Sequence, residues 1–156
     1  MTPKRPPPRV LISSTQRVVR VPRKQITELV AFTAEQEGVR VAEMDIAIVG
    51  ADEVATHNRR WLGHTGATDV LSFDLSDGRG GGLVGQLILC GDVAAAQGPA
   101  HGQTVRRELL LYVVHGLLHL MGYEDQSIRG GARMHAREDE ILSAFFRRKS
   151  TARKKS

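Results

Sequence analysis

Two histidines four residues apart, His115 and His119, stand in the run HGLLHLMGYED, with a glycine three residues and an aspartate six residues beyond the second. On an α-helix positions i and i+4 share a face, so both imidazoles can address one atom. Gly122 suits the left-handed turn that ends a helix and reverses the chain. Such a reversal swings Tyr123, Glu124 and Asp125 back toward the histidine face. Asp125 becomes the natural third ligand, with Glu124 the competing carboxylate. Three protein ligands and one open position describe a catalytic zinc site, whereas structural zinc sites close all four. Two imidazoles and a carboxylate also suit iron, manganese or nickel.

An isolated histidine pair of this spacing is more readily satisfied by backbone carbonyls than by a metal. Here the surrounding helix, ELLLYVVHGLLHLM, is apolar on nearly every side and is expected to be buried. An imidazole left unsatisfied there costs on the order of 1–3 kcal/mol, and Gly122 with Asp125 supplies what a metal needs. His57, His64, His101 and His135 have no comparable spacing and read as surface residues, although His64 and His135 can approach the site in space. Cys90 reads as a small core residue. The glycine-rich DGRGGG lacks the GK[ST] of a phosphate-binding loop.

The string VVHGLLHLMGYED resembles the HGxLHLxGYDH signature of the YbeY family, metal-dependent endoribonucleases of ribosomal RNA maturation. TDVLSF, residues 68–73, matches the family's other characteristic stretch. The resemblance covers most of residues 44–142. It implies a metzincin-like fold and one Zn2+ per chain. It also implies single-strand-specific RNA cleavage in 16S ribosomal RNA 3'-end maturation and ribosome quality control, with ribosomal RNA and the small ribosomal subunit as partners. No DNA specificity and no membrane are expected.

This sequence departs from the family pattern at three places. Glu124-Asp125 replaces Asp-His, so a carboxylate takes the place of the third imidazole; aspartate oxygen is an ordinary zinc ligand at about 2.0–2.2 Å. Its charge should make a metal-bound water less acidic. The family's arginine falls on Leu62, which leaves Arg59 or Arg60 to steady a phosphate and Glu124 as the candidate base. Gln86 stands where the family carries aspartate. A noncatalytic, metal-containing ribosome-assembly factor is the alternative these departures suggest. The HxxxHxxGxxD layout also resembles the peptidase signature HExxHxxGxxH, but Gly116 occupies the position of the catalytic glutamate.

The chain's 156 residues suit one domain. A single cysteine excludes an intrachain disulfide, and no apolar run reaches membrane-spanning length, so a cytoplasmic protein is expected. Basic residues concentrate at the ends. Residues 1–9 hold three Lys or Arg and residues 147–156 hold six, with no acid in either, leaving 13 basic and 17 acidic residues between them. Residues 1–8 and 147–156 therefore read as basic tails around a domain at 9–146, able to bind a polyanion without reading its sequence. With aromatic residues at 4%, a base-stacking platform is not expected.

The elements that must position the histidines follow an α+β order. We expect a small mixed β-sheet packed with about five helices around the buried central helix. RVLISS and RVVRV suggest one or two short strands, or a strand and turn. Residues 23–37 read as a helix burying Ile26, Leu29, Val30 and Thr33, ended by Gly38. MDIAIVG, DVLSFDL and GLVGQLILCG read as strands, and ADEVATHNRRWL as a short helix. In DVLSF, alternation puts Leu71 and Phe73 in the core and Ser72 with Thr68 on the other face. Asp92 is expected to cap the alanine-rich helix that follows it. Residues 103–121 form the central helix and 127–146 the last.

Overall fold

The structure is a computed structural model that describes residues 6–57 and 69–155, with side chains described through residue 148. Among these residues the elements run β1 (Arg9–Ser14), α1 (Arg23–Glu37), β2 (Val41–Val49), α2 (Ala51–His57), β3 (Val70–Asp74), β4 (Leu83–Cys90), α3 (Gly91–Ala100), α4 (Val105–Leu120) and α5 (Ile128–Lys155). The α+β expectation, a mixed sheet with five helices, holds. Of the two β-branched runs near the start, only the first forms a strand. The second is a turn in which Gln16 accepts from the Val19 amide at 2.9 Å.

The strands order as β1-β2-β4-β3. β1, β2 and β4 are parallel, whereas β3 runs antiparallel along β4, pairing Ser72 with Leu87. Alternation sorts the side chains to two faces. Met44, Ile46 and Ile48 of β2 and Leu87 and Leu89 of β4 join α1, α4 and α5 in the main core. Val49, Leu71, Ile88 and Cys90 form a smaller cluster with Val54 of α2, against which Phe73 packs.

The main core is built around α4. Leu109, Leu110, Val113, Val114, Leu117 and Leu118 are all fully buried. Burying each such side chain stabilises by roughly 1.5–3 kcal/mol, so this helix is a rigid base for whatever it carries. Thr104 starts it, its hydroxyl accepting the Arg107 amide at 3.1 Å. Gly122 (φ 104°) turns the chain at the other end, and the Tyr123 amide donates back to the Leu118 carbonyl at 3.0 Å. Gly116 lies where α4 presses closely on the sheet. A Cβ built on it would lie 2.7 Å from Leu87 Cδ2 and 3.1 Å from Ser72 Oγ.

Two local expectations are corrected. Asp92 makes no cap on α3, whose N-cap is Cys90 without a side-chain hydrogen bond. Its Oδ2 instead accepts the Ala51 amide at 2.6 Å, capping α2 from across the sheet. Asp92→Ala should therefore destabilise by about 1 kcal/mol. Urea unfolding would check this, and the Ala51 amide should be the one that loses hydrogen-exchange protection. The last helix also does not stop at 146: α5 continues to Lys155 through residues expected to be a solvated arm.

Candidate metal centre

α4 presents His115 and His119 on one face, and the Gly122 turn returns Asp125 to them, as the spacing predicts. Their Nε2 atoms are 3.2 Å apart. Asp125 Oδ2 lies 3.7 Å from His115 Nε2 and 3.4 Å from His119 Nε2. Neither nitrogen is spent on a carbonyl; both point at the same space, ring edge to ring face with centroids 4.6 Å apart. Two lone pairs and a carboxylate oxygen so placed repel one another unless a cation or proton lies between them. The three residues are the group of metal-competent side chains among the described residues, one ligand atom from each falling within 4.8 Å of the others. Atoms bound ~2.0–2.1 Å from one tetrahedral ion are about 3.3 Å apart, close to the triangle seen here. The donor set and its spacing fit a metal ion.

The triangle opens onto a cavity of about 480 Å³ lined by Asp69, Val70, Leu71, Ser72, Asp74, His115, His119, Leu120 and Asp125. The closeness of α4 to the sheet at Gly116 sets the histidines beside edge strand β3. Ser72, on the face of β3 opposite Leu71, lines it, and its hydroxyl donates to the Gly116 carbonyl at 3.4 Å. Asp125 is 45% exposed and His115 25%, so the triangle is open to solvent.

Behind His115 stands a carboxylate that the motif reading missed. Glu138 of α5 is buried and hydrogen-bonded to His115 Nδ1. A signal for it exists in the sequence: Met134, Ile141 and Phe145 form the buried stripe of α5, and Glu138 sits on the same stripe, an acid where an apolar residue belongs. Burial of the His115 ring disfavours its charged form. The Glu138 hydrogen bond, with the charges of Glu138, Asp69 and Asp125, outweighs this and raises its pKa above the usual imidazole value.

The other candidates fall elsewhere. Glu124 does not line the groove; its carboxylate accepts the Gln126 amide at 2.8 Å, the Ser127 amide at 3.1 Å and the Ser127 hydroxyl at 2.6 Å. The Ser127 hydroxyl and amide, then the Gln126 amide, hold its pKa below the usual carboxylate range. Arg59, Arg60, Leu62, His64 and Thr68 lie outside the described residues. His101 is largely exposed beside buried Glu108, at 3.2 Å. His135 is 71% exposed and approaches the site only through Glu138, at 3.6 Å.

The family model for Endoribonuclease YbeY matches residues 12–146, nearly the whole described fold and every residue of the triangle. The chain belongs to the YbeY family. A YbeY relative from Macrococcus caseolyticus, named an endoribonuclease, is 36% identical over 129 residues, covering 78% of this chain and 84% of that one. Another so named, from Renibacterium salmoninarum, is 34% identical over 144 residues, covering 86% and 91%. The solution structure of TM1509 from Thermotoga maritima shares the YbeY chain's fold, with a TM-score of 0.59 at 21% identity over 94% and 95% of the two chains. This YbeY-family chain is thus an enzyme of the endoribonuclease class by descent. Among its described residues no helix is long and apolar enough to cross a membrane.

Proposed function

We propose that this chain is a zinc-dependent endoribonuclease that cuts single-stranded RNA in ribosomal RNA processing, with His115, His119 and Asp125 holding one zinc ion. The observation that carries this reading is the convergence of two imidazole nitrogens and a carboxylate oxygen at one open groove. When bound, zinc supplies Lewis acidity toward a phosphate oxygen and toward water. The chain's own residues do the rest. A single strand is the groove's proposed occupant, because an A-form duplex is far wider than a cavity of about 480 Å³ beside one strand and one helix, and only unpaired bases can be splayed out along it. Ser72 supplies a hydroxyl on the groove floor. The carboxylates of Asp69, Asp74 and Asp125 make the groove acidic, so a phosphodiester enters only where cations offset them.

Arg59 and Arg60 are proposed to supply part of that charge by paired hydrogen bonds to phosphate. The basic ends of the chain, at residues 1–9 and 147–156, add sequence-independent attraction. Glu124 serves as a base only after releasing Ser127, and a carboxylate with a lowered pKa is a weak one. The 3' end of 16S ribosomal RNA, the small subunit and a cytoplasmic setting belong to the same reading. So does participation in ribosome quality control.

Protein purified without a histidine tag should carry about one zinc per chain by elemental analysis and cleave an unstructured RNA. Asp125→Ala should lose both the metal and the cleavage. A folded wild-type protein that takes up no zinc would defeat this reading. Leu62 at the family's arginine position and Asp125 at its histidine position favour a second one, a metal-containing assembly factor that binds RNA without cutting it. Zinc retention with RNA binding but no cleavage would select that reading.

A further inference from the structure

Glu138 and His115 come from different elements, α5 and α4, and meet only because α5 docks on the core. Met134, Ile141, Leu142 and Phe145 of α5 are buried there, with the Phe145 and Phe32 rings 5.6 Å apart. On that apolar face Glu138 is the acid, its side chain 7% exposed. A carboxylate in such a place destabilises the fold unless it is partnered. The position is therefore expensive for an acid, and the partner it finds is one of the three groups of the metal triangle.

The chemistry of the pair has one consequence for the ring. An ionised carboxylate only accepts hydrogen bonds, so Nδ1 of His115 carries the hydrogen it shares with Glu138. A neutral imidazole has one N–H, which leaves Nε2 bare and facing His119 and Asp125. Glu138 thus selects the tautomer and fixes the ring plane at once. Among the described residues His119 has no carboxylate on its Nδ1; its ion-pair partner is Asp125, on Nε2. The two imidazoles are consequently unequal, one held from behind and one free to adjust.

We propose that Glu138 is a positioning residue for the metal centre, setting metal affinity by holding His115 in the ligand tautomer and orientation. This rests on the zinc reading above. It places part of the site's affinity on α5, 23 residues beyond His115 and outside the HGLLHLMGYED run.

Zinc dissociation constants for the wild type, Glu138→Gln and Glu138→Ala, measured by competition with a chromogenic chelator, test this alongside thermal unfolding of each metal-free protein. Outer partners of ligand histidines typically contribute about 10–100-fold in metal affinity. Glu138→Gln keeps an acceptor for Nδ1 without the charge, so its affinity should fall by about tenfold, and Glu138→Ala by about 100-fold. The ranking should persist whatever happens to the unfolding temperatures, because glutamine rescues orientation. Dissociation constants within twofold of wild type for both variants, even with altered unfolding temperatures, would overturn the proposal and leave a structural acid. Wild-type protein that binds no zinc would overturn the site reading itself, which is a different result.

Discussion

His115→Ala should cost more than about 100-fold in zinc affinity and remove RNA cleavage with it. Losing a residue behind a ligand already costs ~10–100-fold, and this substitution removes the ligand itself, leaving His119 and Asp125 as two groups on an open surface. The fold should survive, since the site is at the rim of α4 and alanine is the better helix former. Glu138 loses its imidazole partner, however, so a fall of about 1–3 kcal/mol in metal-free stability is expected too. Elemental analysis and a gel assay on labelled single-stranded RNA read the two losses side by side. Cleavage by metal-free His115→Ala protein would locate the chemistry elsewhere.

The same ring should make zinc affinity depend on pH. Ligand imidazoles must be neutral to bind, and His115 holds its proton to a higher pH than an unperturbed imidazole. Zinc affinity, measured by chelator competition across pH, should therefore begin to weaken at a higher pH than an unperturbed imidazole would give. In the metal-free protein the sign reverses. The protonated pair with Glu138 stabilises the fold fully below the unfolded-state pKa and loses that contribution as pH rises through the folded one.

Gly116→Glu should destabilise the protein by more than about 3 kcal/mol, enough to abolish folding in a marginal domain. The peptidase signature places its glutamate at this position, where the structure has α4 packed closely on the sheet. The first added carbon would meet Leu87 Cδ2 at 2.7 Å and Ser72 Oγ at 3.1 Å, on the face of α4 that presses on the sheet. Overpacking alone costs typically about 1–3 kcal/mol, and the carboxylate would then be buried without a partner. The glycine's poor helix propensity, about 1 kcal/mol, is the smaller quantity. Urea unfolding of the variant measures the balance. A Gly116→Glu protein as stable as wild type would mean that α4 can lift from β4, and would reopen the peptidase reading.

Most of what is local in this protein could be read from residue order. The central helix, its Gly122 stop and the convergence of His115, His119 and Asp125 all follow from steps of six residues or fewer, within which helix and turn geometry leave few choices. α1 over residues 23–37 and the inward set Ile26, Leu29, Val30 and Thr33 were legible for the same reason: one face of a 3.6-residue period must be apolar. The YbeY resemblance rested on the same short strings.

What the order of residues left open is what depends on elements far apart in the chain. Asp92 follows the sequence rule for a cap but serves α2, because parallel pairing of β2 and β4 brings Ala51 within 2.6 Å of it. Glu124 has the right position for a base, yet the start of α5 offers it two amides and a hydroxyl, and a carboxylate goes where its donors are. The tail after 146, polar enough to read as an arm, continues a helix already nucleated and anchored on the core, where each added residue gains a backbone hydrogen bond without a new nucleation cost. The sequence by itself determined the convergence of His115, His119 and Asp125 and the helix that bears the two histidines. Only the tertiary structure decided that the groove runs beside edge strand β3, that Gly116 packs against Leu87 and Ser72 and that Glu138 stands behind His115. Sequence spacing governs geometry within a turn or two, whereas these contacts depend on how separate elements pack.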